Sequence, residues 1–385
     1  MPRLLAAPDK FRDTATAAEV AAAAARGALS AGWGASELPL ADGGEGTLDV
    51  LSRALGGERR RAVARGPLGE PVEADWLLVP DGLSDLVPDG LFVPDGLSDL
   101  VPDGLSDHLH PRLSEGLVCG PVAVIESARA AGRALLRAPE GDEPVRAGSE
   151  GVGDLILAAV GAGARLVIVG AGGTATTDGG WGALSVVGTR ARLRGARLVV
   201  ACDVATPFRA AAETFGPQKG ATPAQVAALR TRLERLADRY RVEYGVDVDR
   251  LVGAGAAGGL AGGLAALGAR LVGGFQFVAA LVDLDHRAAA ADLVMTGEGR
   301  LDATSFEGKV VGGVLGAAGG TPRVLCIAGE VEPGVERYWA TRPGQVDVVS
   351  LVAVVGEARA RLAATEAVSD VVALACRAGR GTDGR

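Results

Sequence analysis

The chain has 385 residues, 48% of them hydrophobic and only 4% aromatic, with a formal net charge of −8. At roughly 150 residues per domain this length suits two to three domains, and the acidic balance argues against an electrostatic nucleic-acid binder. No apolar run reaches the ~18 residues needed to span a bilayer, so no membrane partner is expected. Cys119, Cys202, Cys326 and Cys376 lie far apart, with no Cys-x-x-Cys. Neither a zinc site nor a disulfide framework is expected, and a reducing cytoplasm is the natural setting. The opening MPRLLAAPDK reaches Pro8 and Asp9 after only four apolar residues, too few for a secretion signal.

In chain order, apolar runs repeatedly end in Gly- or Asp-rich turns. Leu4–Ala7 runs into Pro-Asp-Lys, and Thr16 with Glu19 forms a capping box before an Ala-rich helix over 17–31. Residues 78–107 carry the unit LVPDGLSD at 78–85 and 100–107, FVPDGLSD at 92–99 and a truncated copy at 86–91. Pro-Asp-Gly is turn chemistry, and the segment reads as a duplicated surface insertion between two strands. Leu166–Val169 then runs into GAGGTATTDGG, and Leu198–Ala201 into Cys-Asp. Helices are expected over 224–240 and 358–377. Between them Leu293–Met295 runs into TGEGRLD and Val324–Ala328 into Gly-Glu, and the tail from Arg377 is expected to fray. Alternating strand and helix signals predict an α/β protein with mostly parallel sheets, whose ligands collect beyond the carboxyl ends of strands.

Two familiar nucleotide motifs fail. Gly253-Ala-Gly255-Ala-Ala-Gly258 matches G-x-G-x-x-G, but at most Leu251–Val252 precedes it as a strand and no acidic partner follows at the right offset. Gly308-Lys309 has Ala303 where a Walker A loop needs its first Gly, and Val310 where it needs Ser or Thr. The lysines are more informative. Only Lys10, Lys219 and Lys309 occur against 36 arginines, each in loop-like surroundings. A compact ammonium meets phosphate oxygens where a planar guanidinium does not fit.

Four segments have the composition of a site. Asp42-Gly-Gly-Glu45-Gly-Thr offers two carboxylates and a hydroxyl on a Gly-bearing backbone. Thr174-Ala-Thr176-Thr177-Asp178-Gly-Gly supplies hydroxyls, an acid and free amides suited to an oxyanion. Gly-Pro-Gln218-Lys219-Gly places an amide and an ammonium on a rigid turn. Thr296-Gly-Glu298-Gly-Arg300-Leu-Asp302 offers two acids and a guanidinium after a strand.

On these segments the chain resembles the bacterial glycerate kinase family, of the glycerate-2-kinase type and unrelated in fold to P-loop kinases. The matching stretches, in family order, are 7–20, 38–51, 66–76, 170–180, 200–204, 215–221, 253–260 and 291–310. The chain departs from the family pattern at Asp13, where Gly is common, at Thr174, Thr177 and Thr206, and in a shortened stretch over 181–199. The resemblance implies ATP- and Mg2+-dependent phosphorylation of D-glycerate in a cleft between two α/β domains. A Rossmann-like domain is expected from 1–60 with 289–385, and an inserted α/β domain from 61–288. Lys219 and Lys309, with Lys10 and Arg12, are expected to neutralise phosphate or carboxylate. Asp178, Asp203, Glu298 and Asp302 share two roles, magnesium ligation and acceptance of the hydroxyl proton, with Asp178 and Asp203 the magnesium candidates. Asp9, Asp42, Glu45, Thr174, Thr176, Gly255 and Arg300 complete the substrate and nucleotide contacts. Two other readings stay open: a kinase for another small hydroxy or sugar acid, and a relative that binds ligand without turnover. The resemblance also leaves a homodimer open.

Overall fold

The computed structural model describes residues 1–80, 120–136, 141, 143–306, 308–320, 322–340 and 344–379. The repeat over 81–107 and the tail 380–385 lie outside the described residues. The strands are β1 (Arg3–Ala6), β2 (Gly34–Glu37), β3 (Glu58–Arg65), β4 (Pro71–Val79), β5 (Val122–Glu126) and β6 (Leu166–Gly170), then β7 (Arg197–Ala201), β8 (Arg270–Val272), β9 (Leu293–Leu301), β10 (Arg323–Val331) and β11 (Val346–Ser350).

Residues 1–42 and 278–385 form one compact unit, residues 43–277 the other. The first unit holds a five-stranded sheet in the order β11-β10-β9-β1-β2, every pair parallel. The expectation that Leu4, Leu293, Val324 and Val346 lie in strands of one sheet is met. Thr16 and Glu19 cap the helix Ala17–Ser30 reciprocally. Its small residues allow close approach to the helix Ala364–Gly379, where a Cβ on Gly27 would stand 2.2 Å from the Ser369 carbonyl oxygen. The helix expected over 358–377 is two, Glu357–Leu362 and Ala364–Gly379, broken at Ala363.

The second unit holds a six-stranded sheet in the order β3-β4-β5-β6-β7-β8. β3, β4 and β5 pair antiparallel, and β5 to β8 pair parallel. β5 and β6 are buried at every residue, which is why VAVIE and LVIVG read as unbroken apolar runs and not as alternation.

The boundaries differ from those expected at 60/61 and 288/289. The helix Thr47–Leu55 packs on β4 and β5, and the amides of Gly46 and Leu48 donate to the buried Glu126 carboxylate at 2.9 and 2.7 Å. That contact ties 43–60 to the second unit. The helix Leu284–Ala289 packs on the helix Val310–Ala318 of the first unit.

Leu78 and Val79 of the first repeat copy belong to β4, and Val79 pairs with Val122 at the start of β5. Antiparallel partners that close can be joined by a short hairpin, and lengthening a loop costs only about 0.6 kcal/mol per doubling. Replacing 81–119 by a four-residue Gly-Ser turn is expected to leave the melting temperature unchanged to within a few degrees. A calorimetric drop of about 10 °C or more would show that the segment contributes to the core.

Candidate active site

In the first unit the chain order runs outward in both directions from the β1/β9 pair, so the topological switch point lies at their carboxyl ends. That is where open parallel sheets bind ligands. The Ala7 and Asp9 amides continue the pairing beyond β1, donating to the Met295 and Gly297 carbonyls at 2.7 and 2.9 Å. Gly297 is required by close approach, since a Cβ there would lie 1.8 Å from the Ile327 carbonyl oxygen.

The carboxylate of the buried Asp9 accepts from the Lys10 amide at 2.7 Å. The Lys10 ammonium stands 3.9 Å from Asp9 Oδ1 and 4.0 Å from Asp42 Oδ1. Burial pushes Asp9 up to about 6 despite the pull of Lys10, with Asp42 adding to the rise. Burial likewise pushes Glu298 up to about 7; Ser305 and Lys309 oppose the rise, and Asp9 and Asp302 reinforce it. Asp302 is raised by partial burial, yet hydrogen bonds from the Thr304 hydroxyl and amide, at 2.7 and 2.8 Å, hold it below the usual carboxylate range. Lys309 Nζ donates to the Thr304 hydroxyl at 2.8 Å. Asp9, Lys10, Asp42, Glu298, Asp302 and Lys309, expected from three distant segments, thus form one cluster. Arg300 touches this cluster only through the charge of Asp302. Arg12 is exposed on the turn closed by Phe11 and Ala15, beside Asp13 at φ 60°, and the exposed Arg300 pairs with Glu332.

In the second unit the loop after β6 carries the threonines. Thr174, Thr176 and Thr177 are buried, and among the described residues their hydroxyls have no hydrogen-bond partner. Lys219, on the turn Pro217–Lys219, is 6% exposed and donates through Nζ to the Thr176 carbonyl. Burial pushes this ammonium down to about 7, Asp178 opposing and Arg133 assisting. The Gly-rich segment supplies the third wall. Ala257, Gly258 and Gly259 are all left-handed, at φ 53°, 70° and 89°. A Cβ on Gly258 would lie 2.0 Å from the Thr176 carbonyl oxygen. Rejecting a dinucleotide fingerprint here agrees with the fold, because a 3-10 turn over Val248–Arg250 precedes this segment and not a strand. Gly255 lets the backbone pass the Thr206 and Pro207 carbonyls.

The two magnesium candidates have other employment. Asp178 Oδ2 accepts from the Ser149 amide and hydroxyl at 2.9 and 2.7 Å and from the Gly182 amide at 3.0 Å, while Oδ1 accepts from the Gly180 amide at 3.0 Å. Asp203 accepts from the Gly274 and Phe275 amides at the start of the helix Gly274–Leu281. Among the described residues no three His, Cys, Asp or Glu side chains come together to hold a metal ion. Both aspartates fix loops at helix starts. Glu45 is exposed. Sequence reasoning missed Glu126 and Ser149. The signal for Glu126 was an acid closing the apolar run VAVIE; Ser149 had none.

The glycerate kinase family model matches residues 4–192 and 187–377. The chain belongs to the glycerate kinase family. Among curated relatives, glycerate 2-kinase of Escherichia coli K12 is 33% identical over 82% of this chain and 82% of its own. Glycerate kinase of Bacillus subtilis 168 is 33% identical over 89% and 91%. A crystal structure provisionally assigned as glycerate kinase 2 from Salmonella typhimurium LT2 superposes with a TM-score of 0.75 at 30% identity, covering both chains fully. This family member has no helix among its described residues long and apolar enough to cross a membrane.

Proposed function

We propose that this chain transfers the terminal phosphoryl group of ATP to a hydroxyl of D-glycerate, yielding phosphoglycerate and ADP. The observation that carries the reading is the cluster at the β1/β9 switch point, which gathers two of the three lysines with four carboxylates. Phosphoryl transfer needs little covalent chemistry from the protein; it needs in-line positioning and neutralised charge. Lys10 and Lys309 are suited to phosphate oxygens. Lys219 and the three threonine hydroxyls offer donors to an anionic group. Magnesium enters this reading as the counter-ion that ATP brings on its phosphates, with no ligand role for Asp178 or Asp203. A cytoplasmic setting suits the buried Cys202, Cys326 and Cys376, and a homodimer is the assembly to examine by light scattering.

The test is ADP formation with D-glycerate, ATP and magnesium, the product identified by phosphorus NMR. Glycerate-dependent ADP is expected. Turnover with a different hydroxy acid alone would reassign the substrate, and tight binding without ADP would leave a ligand-binding relative.

A further inference from the structure

We propose that the aromatic corner formed by Phe306 and Trp339 in the first unit is the seat of the nucleobase of ATP. This deepens the phosphoryl-transfer reading above and rests on it.

The argument begins with two neighbouring strands. β9 and β10 stay paired to their last residues, Arg300 with Glu330 and Leu301 with Val331, and the Glu332 amide still donates to the Leu301 carbonyl at 2.9 Å. Each then leaves the carboxyl edge of the sheet into a short turn, Ala303–Phe306 after β9 and Val335–Tyr338 after β10. Turns that leave paired parallel strands at one edge are neighbours, and these two pack together. Both are anchored. Gly312 admits the Phe306 backbone so closely that a Cβ would stand 2.7 Å from it, and Val335 is buried.

In a chain that is only 4% aromatic, the two turns bring three rings together. Phe306 stacks on Tyr338 with centroids 4.7 Å apart and planes 3° from parallel. Trp339 meets the same Phe306 ring at 5.8 Å and 37°. All three residues are half-buried, whereas the core rings Phe11, Phe208 and Phe277 are hidden completely. Tyr338 is already engaged, because the Arg337 guanidinium lies 4.9 Å from its centroid and donates to its hydroxyl at 3.2 Å. The remaining aromatic surface is the corner between Phe306 and Trp339. One ring gives a plane to stack on and the other closes an edge, which suits a flat base of any sequence.

Position decides among flat ligands. Thr304, two residues before Phe306 on the same turn, accepts a hydrogen bond from Lys309 Nζ at 2.8 Å. One turn therefore carries both the aromatic corner and an ammonium suited to phosphate oxygens, at the edge of the sheet where ligands collect. A molecule with a flat base at one end and phosphates at the other matches that pair.

The test compares ATP with inorganic tripolyphosphate, each with magnesium and without glycerate, by calorimetry. Phe306→Leu keeps the apolar bulk and removes the plane. It should weaken ATP about tenfold to a hundredfold and leave tripolyphosphate within twofold. Trp339→Leu should act in the same sense and serves should Phe306→Leu not fold. Phe306→Tyr and Trp339→Phe should keep ATP affinity within threefold. In turnover the loss should fall on KM for ATP with kcat held within threefold, since a base binds alike before and during transfer. Unchanged ATP affinity in the folded leucine variants overturns the seat. So does an equal loss of ATP and tripolyphosphate, which would mean that the turn carrying Lys309 has moved. If wild-type protein forms ADP and the leucine variants keep its KM for ATP, this inference falls and the phosphoryl-transfer reading stands. Wild-type protein that binds no ATP overturns both.

Discussion

In Lys219→Met, turnover is expected to fall by two or more powers of ten, about 3 kcal/mol in the barrier, while the melting temperature at pH 7 holds or rises. The reason is the burial of the ammonium, which pushes Lys219 down to about 7 from its ordinary 10.5. Between these values the unfolded chain binds more protons than the folded one, so Lys219 makes stability increase with pH across that window. Below about pH 7 the folded protein carries the whole cost of a buried charge. Methionine removes that cost, so its thermal advantage should be largest near pH 6.5 and fade towards pH 10. Melting curves at several pH values check the sign, and an advantage that grows with pH would refute it. Lys219→Arg should also lose most activity, because an added Cβ at Gly258 would already lie 2.9 Å from Nζ and a wider guanidinium has no room. Near-full activity in Lys219→Arg would mean that the scarcity of lysine carries no functional message here.

The second large effect is expected at Gly258. An alanine there would place its Cβ 2.0 Å from the Thr176 carbonyl oxygen and 2.8 Å from Thr177 Cα, at φ +70°. Overpacking and backbone strain together should cost about 3 kcal/mol, roughly 6–12 °C in a unit of this size. The matched control is Gly245→Ala, also left-handed at φ +69° but with nothing within 4 Å of its Cβ. It should cost only about 1 kcal/mol. Equal losses in the two variants would show that the loop carrying the threonines simply moves aside.

What could be read from the residues alone was local. The capping box at Thr16 and Glu19 acts across three residues, and it is present as expected. The doubly buried strands β5 and β6 announced themselves by unbroken apolar runs. In an Arg-rich chain each lysine stands out; Lys10 and Lys309 share one cluster and Lys219 is buried among the threonines of the other unit. The same richness hid Arg12 and Arg300, which look like any other surface arginine. The hydrogen-bond partners of Asp178 and Asp203 were hidden because they are remote in sequence, Ser149 for one and Gly274 for the other. An acid after a strand reads the same whether it meets an ion or a helix start. The boundary between units failed for a similar reason: Glu126 ties residues 46–48 to the second unit from about eighty positions away.

The sheet order of the first unit also dictates a sequence of events at the ribosome. β1 lies between β2 and β9, and its neighbour β9 begins at Leu293. At roughly 5–20 residues per second, β1 and β2 wait tens of seconds for that neighbour to be synthesised. All the strands of the second unit emerge during the wait and can assemble first. The nascent amino terminus is thus present as a β1/β2 pair whose β1 edge stays open until β9 arrives, an edge of the kind that templates mispairing.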